Sequence, residues 1–305
     1  MIDFRYHIVS IVAIFLALAV GIVLGSGPLK DNIGGLLETQ TAQLAQQKVD
    51  LQSQVGALRS DVNSNQKYAE LVQPNVVRGL LVAQPVVLVQ LPGASGDTVD
   101  AVTTAVDQAG GNVTERIEIQ ASWTDPTQKD VLGRLSDSIV HRGGATDAYD
   151  LAGQALAGAL VTNNVRLVGQ PFAPSTGILA AFEDAGFIKA GQGSVVRAGS
   201  AIVIGSDSVD SAASASLLPL LSAIDANAQG EVVSGPLGSA ESGGIVGTVR
   251  DSDLGDRVST DDRAETAQGV TVAVLALVDN RNGQVGDYGT GPGAQGPAPD
   301  PVPGS

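Results

Sequence analysis

Residues 85–111 read PVVLVQLPGASGDTVDAVTTAVDQAGG, and the pattern of this stretch decides the fold class. Val86-Val87-Leu88-Val89 is an unbroken apolar run rich in β-branched residues, as in a strand buried on both faces, and Pro92-Gly93 closes it. From Asp97 to Ala109 the apolar residues fall at Val99, Val102, Val106 and Ala109. That is the three-and-four spacing of a helix with one buried face, and Gly110-Gly111 stops it. A second strand is expected at Val113 to Ile119. Helices are expected near Asp130–Arg142, with Val131, Leu135 and Ile139 on one face, and near Tyr149–Leu160. Val165-Arg166-Leu167-Val168 and Ala201-Ile202-Val203-Ile204 read as strands, followed by helices around Leu179–Ala185 and Ala212–Ala223. Glu231-Val232-Val233 and Ile245–Val249 read as further strands. Val270–Val278 suits a strand or an apolar helix and is taken as a helix ended by Asp279-Asn280. Strands alternating with helices predict an α/β layered domain around a mainly parallel sheet.

Upstream the period changes. Leu37, Leu44, Leu51 and Leu58 recur every seven residues. With these at position d, position a holds Gly34, Thr41, Lys48, Val55, Val62 and Ala69, the pattern of a short parallel coiled coil. The second half, where Val at a meets Leu at d, is the better formed. Thr41 and Lys48 on the seam weaken pairing but favour one register. A helix packed on its own domain would show a broader apolar stripe than this strict spacing. Helix from Asp31 to about Val72 would extend roughly 60 Å, with Pro74 as its expected end.

Further upstream, Ile8–Leu24 (IVSIVAIFLALAVGIVL) is apolar and uncharged, with Ser10 its one polar residue. With Gly25-Ser26-Gly27 it reaches the ~20 residues that a helix needs to cross a bilayer. Ala17-Leu18-Ala19 resembles a signal-peptide cleavage site, but cutting there would leave a strongly apolar new terminus, so an anchor is the reading taken. Arg5 and the amino group before the span place the amino end inside and the acidic domain outside the cytoplasm. Ala13, Ala17, Gly21 and Gly25 form a stripe of small residues suited to close helix pairing. At the other end the chain becomes Gly- and Pro-rich beyond Asp287, a composition expected to stay extended and disordered.

The residue inventory removes several chemistries. Seventeen Lys and Arg against thirty-two Asp and Glu give a net charge of −15, which excludes nucleic acid as a main partner. There is no Cys, Met occurs once, and His7 and His141 are the two histidines, so soft-metal ligands and thiol nucleophiles are scarce or absent. Gly93-Ala94-Ser95-Gly96 lies in a strand–helix turn but lacks the Lys and spacing of a phosphate loop. Gly205-Ser206-Asp207-Ser208 occupies a similar turn, with Asp207 expected to cap a helix. His141 sits at a helix end with no evident serine partner. Asp251, Asp253, Asp256, Asp261 and Asp262 do not match a calcium loop and read as solvated loop carboxylates. No catalytic set, metal site or cofactor is expected.

Two blocks of sequence are distinctive. One is Arg5-Tyr6-His7, the span, and Val23-Leu24-Gly25-Ser26-Gly27. The other is Ser259-Thr260-Asp261-Asp262, Val270–Leu277 and Gly286-Asp287-Tyr288-Gly289-Thr290-Gly291. Through these the chain resembles, over essentially its whole length, the mycobacterial copper transport protein B (MctB) family of actinobacterial envelope proteins. The resemblance implies a role in copper homeostasis or efflux at the envelope. It also implies, as an alternative, a scaffold or regulator of cell separation acting through a membrane partner and a peptidoglycan hydrolase. The family commonly carries His where Asp287 and Pro292 stand here, so copper ligation at those positions is in doubt for this chain.

The organisation expected is an anchor at 1–27, a coiled-coil stalk at 28–73 with seam residues such as Leu37, Leu44 and Lys48, an α/β domain at 74–286 and a disordered tail at 287–305. The partners expected are the membrane, a second copy through span and coiled coil, and an envelope or division protein. The chain reads as no enzyme.

Overall fold

The computed structural model describes residues 4–26, 28–140, 147–191 and 196–300, with side chains described for 4–25 and, beyond the start of the second helix, from residue 40 onward. It divides into two units, residues 1–65 and 66–305. In the first, the apolar run forms α1 (Phe4–Ser26), long and apolar enough to cross a membrane. The heptad region lies in α2 (Pro28–Val77), whose last turns belong to the second unit. Pro74 does not end this helix, as expected from sequence. It stands inside, and the helix runs three residues further at the loss of one backbone hydrogen bond.

The second unit is α/β. Its elements are β1 (Pro85–Gln90), α3 (Gly96–Gln108), β2 (Asn112–Ile119), a short α4 (Ala121–Thr124), α5 (Lys129–Val140), α6 (Ala148–Leu160), α7 (Ala173–Asp184), β3 (Ile188–Ala190) and β4 (Ser200–Ile204). There follow α8 (Ser211–Asn227), β5 (Gly230–Ser234), a 3₁₀ turn (Leu237–Ala240), α9 (Ile245–Arg250), β6 (Ser259–Asp261), α10 (Ala267–Arg281) and β7 (Asp287–Tyr288). The sheet order is β3-β2-β1-β4-β5-β6-β7, parallel except for the antiparallel edge strand β3.

The alternation within each strand builds the two cores. Val87 and Val89 of β1 point with Ile117, Val203 and Val233 into a core closed by α5–α9, where Trp123 stacks on Phe182 with ring centroids 5.9 Å apart. Val86 and Leu88 point the other way, with Ile202, Ile204 and Val232, against α3, α10 and the end of α2. Both faces are therefore covered, which is why the strands read as continuous apolar runs. The Val270–Val278 run is a helix, as expected, and α10 buries Val270, Ala273, Val274 and Leu277.

Two expected strands are something else. Residues 165–168 form turns: Asn164 Oδ1 accepts from the Arg166 N–H at 3.1 Å, and the Asn164 carbonyl accepts from the Leu167 N–H at 2.8 Å. The local Asn side chain thus competes successfully with any strand ladder. Ile245–Val249 lies in α9, where Ile245, Val246 and Val249 fall on one helical face against the first core. The expected disordered tail is ordered through residue 300. β7 pairs in parallel with β6, and the Gly289 N–H donates to the Gly296 carbonyl at 2.9 Å.

Candidate functional site

The sequence-expected seam lies on α2. Leu44, Lys48, Leu51 and Val55 line one face of this helix together with Arg59, so the heptad spacing does bring them to a common surface. Leu44, Leu51, Leu58 and Val62 are each at least 60% exposed in the isolated chain. Leu37 lies in α2, but its side chain is outside the described ones.

The turns after β1 and β4 meet in the second unit. β1 has neighbours leading away in opposite directions, so the β1–β4 boundary is a topological switch point, where open α/β sheets leave a crevice. That crevice holds about 760 Å³ and is lined by Gly93, Ser95, Ser206, Asp207, Glu241 and Glu265 among others. Asp207 is not the helix cap expected. Its Oδ1 accepts from the Gly238 N–H at 3.0 Å, and Asp210 caps α8 by accepting from the Ala212 and Ala213 N–H groups. Burial pushes the Glu265 carboxyl above its ordinary range, and the charges of Asp207 and Asp262 add to this. A wall with three carboxylates repels phosphates, so the Gly-Ala-Ser-Gly turn is a strand–helix connection and no phosphate cradle.

The acidic cluster splits. Asp251, Asp253 and Asp256 are exposed, whereas Asp261 and Asp262 are buried, contrary to the expectation of solvated loop carboxylates. For Asp262 the physical reason is a counter-cation that sequence reading passed over, Arg250 at the end of α9. Its Nη1 donates to Asp262 Oδ2 at 3.0 Å and to the Pro292 carbonyl at 2.7 Å. Its Nη2 donates to the Tyr288 carbonyl at 2.8 Å, and its Nε to Thr260 Oγ1 at 2.8 Å. Thr260 in turn donates to Asp287 Oδ1 at 2.7 Å. Asp262 also accepts from the Thr290 N–H at 2.8 Å and the Gly291 N–H at 3.0 Å. Gly289 has φ +127°, and a Cβ there would collide with the Asp262 carboxylate, so glycine is required at this turn.

The two blocks 259–262 and 286–291 are thus one object, a latch that holds residues 287–292 on the sheet edge. Asp261, one residue away, points elsewhere: Oδ2 accepts from Ser234 Oγ at 2.7 Å, Oδ1 has no partner, and burial pushes this carboxyl up to about 7. His141 lies outside the described residues. Among the described residues no three metal-ligating side chains come together.

A family model described as "Copper transport outer membrane protein, MctB" matches residues 1–299 of this chain. The chain belongs to the MctB family. Similar proteins named "Copper transporter MctB" come from Mycobacterium tuberculosis (strain ATCC 25618 / H37Rv) and Mycobacterium bovis (strain ATCC BAA-935 / AF2122/97). Each is 31% identical over 312 residues, covering 96% of this chain and 98% of the relative. The Mycobacterium leprae (strain TN) protein of the same name is 30% identical over 310 residues, with the same coverage. Within this family member, positions 287 and 292 flank Arg250: the Asp287 carboxylate lies 3.6 Å from its Nε, and the Pro292 carbonyl accepts from its Nη1. A cationic guanidinium in the middle makes this pair of positions a poor place for a copper ion.

Proposed function

We propose that this chain is a membrane-anchored, non-enzymatic protein that serves copper homeostasis at the cell envelope as a coiled-coil scaffold acting through partners, with its α/β domain outside the cytoplasm. The observation that carries this reading is the uncovered seam of Leu44, Leu51, Val55, Leu58 and Val62. Covering each such side chain is worth about 1.5–3 kcal/mol, which favours pairing with a second α2 or a partner helix once the cost of association is met. The copper process itself is drawn from the names of the relatives. Conducting the ion is a different matter, because a pore needs a bundle of spans or a closed barrel, and copper prefers thiolate, thioether or imidazole donors that this composition scarcely supplies. A scaffold that recruits an envelope partner is also the form that the cell-separation reading requires.

Two measurements test the proposal. Val55→Cys in membranes should give a disulfide-linked dimer on oxidation, since a-position residues face each other across a parallel pair. In cells lacking the chain, Leu51→Asp combined with Leu58→Asp should leave intracellular copper at the level of the deletion while the protein stays in the membrane. Full restoration of copper handling by that double variant would remove the scaffold reading. Copper flux through liposomes carrying the purified protein, above that of empty vesicles, would replace it with a conduit.

A further inference from the structure

The heptad count that begins at Leu37 does not stop at Leu58. Carried on along α2, it places Ala69 at position a, Val72 at d and Val76 at a, with Tyr68 at g and Gln73 at e. All of these line a groove of about 450 Å³ in the second unit, together with Val272 and Leu275 of α10 and Pro297 of the tail. The α/β domain leaves the groove open because it grips α2 elsewhere. Gln66 Oε1 accepts from the Ala267 N–H at the start of α10 at 3.3 Å, and Val77 is fully buried in the second core. At about 3.6 residues per turn, these two positions lie roughly a third of a turn round the helix from the a/d stripe. Folding of the domain thus uses one flank of α2 and leaves the stripe beside it uncovered. Val76 is 41% exposed and Tyr68 68%, and Ala69 and Val72 are half-buried. Scattered apolar side chains on a surface need no explanation, but these share one groove and one heptad register.

The residues also define what fits. Small side chains at a and d let another helix approach closely, and a groove already walled by two helices accepts a third. The flanks of the stripe select which helix. A chain of net charge −15 repels its own copy over most of its surface, yet along α2 the flanks are nearly neutral. In a parallel pair each g residue faces the e residue of the following heptad on the other helix. Two copies of this chain therefore set Gln47 against Gln52, Gln54 against Arg59, Asp61 against Gln66 and Tyr68 against Gln73, and no like charges meet there. Lys48 does meet its own counterpart on the seam, a cost that falls in the stalk and not in the groove.

We propose that the groove between the end of α2 and α10 is a homodimer surface, which receives residues 68–76 of α2 from a second copy of this chain. The proposal rests on the seam reading and deepens it: it names the partner, and it makes the folded α/β domain part of the interface. Each copy offers the same stripe, so the contact is isologous, and Val76 lies beside its own counterpart at the two-fold axis. The chain has no Cys, so single-Cys variants of the full chain in detergent report contacts without background. On mild oxidation Val76→Cys should be trapped as a disulfide-linked dimer as fully as Val55→Cys. Leu71→Cys, at position c and 77% exposed, should stay monomeric. Val76→Asp should raise the dimer dissociation constant, read by sedimentation equilibrium, at least about tenfold, since two apolar contacts are lost and two carboxylates meet. An unchanged Trp123 unfolding midpoint shows that this variant keeps its fold; if the midpoint drops, the cysteine comparison decides alone. Val55→Cys trapped with Val76→Cys monomeric overturns the proposal and leaves the seam reading in place, whereas both monomeric overturns the two together. Leu71→Cys trapped as fully as Val76→Cys, or folded Val76→Asp dimerising as tightly as the wild type, also overturns it.

Discussion

Replacing Asp261 by Asn should make the α/β domain more stable, and by an amount that grows with pH. Asp261 is 1% exposed and sits in β6 with Oδ1 unpartnered. Burial holds its carboxyl protonated up to about 7, against an ordinary value of 3.8 in the unfolded chain. Between these two values the folded state binds the proton and the unfolded state does not, so stability falls as pH rises through the window and is level above it. At about 1.4 kcal/mol per pH unit, the wild type loses about 3 kcal/mol from this group between pH 5 and pH 7. Asn mimics the protonated acid, and its Oδ1 can keep the 2.7 Å bond from Ser234 Oγ without ever ionising. Glu231, fully buried and likewise pushed well above its ordinary range by burial, contributes the same sign to both proteins and cancels in the comparison. The assay is urea unfolding of the full chain in detergent at several pH values, read from the fluorescence of Trp123, which is the single tryptophan and fully buried against Phe182. The stability gap between variant and wild type should widen in the variant's favour by about 3 kcal/mol from pH 5 to pH 8. A gap that stays constant across that range, or one that moves in favour of the wild type, refutes the reasoning.

Arg250→Met leaves the fully buried Asp262 carboxylate without its cation, so destabilisation of about 3–5 kcal/mol is expected, with new protease cleavage between residues 287 and 300 as the direct sign that the latch has opened. Asp210→Ala should cost about 1 kcal/mol by removing the cap of α8, whereas a capping role for Asp207 would place that loss at Asp207→Ala instead. Chemical denaturation with the same Trp123 signal measures both.

Much of the architecture was legible because it rests on local period. The apolar runs at 86–89 and 201–204, the helical spacing at 97–109 and the long apolar segment at 8–24 appear where their patterns put them. The misreadings occurred where local composition was ambiguous and long-range context decided. Residues 245–249 have the β-branched content of a strand, yet the Gly244 start and the neighbouring core made them a helix. Residues 165–168 look equally strand-like, and one Asn side chain turned them. The Gly- and Pro-rich stretch after Asp287 has too little apolar surface to order itself, and it is ordered by hydrogen bonds to Arg250 and Asp262 from elsewhere in the chain.

The sequence by itself determined an apolar segment able to span a bilayer, a heptad-bearing helix and an α/β class, since hydrophobic period and length act within a few turns of chain. Only the tertiary structure decided which charges are buried and what they face. Arg250 meets Asp262, Asp261 is buried with the Ser234 hydroxyl on one oxygen, and among the described residues Arg281 forms no ion pair. Those outcomes depend on dielectric and distance between residues dozens of positions apart, quantities that composition and spacing do not contain.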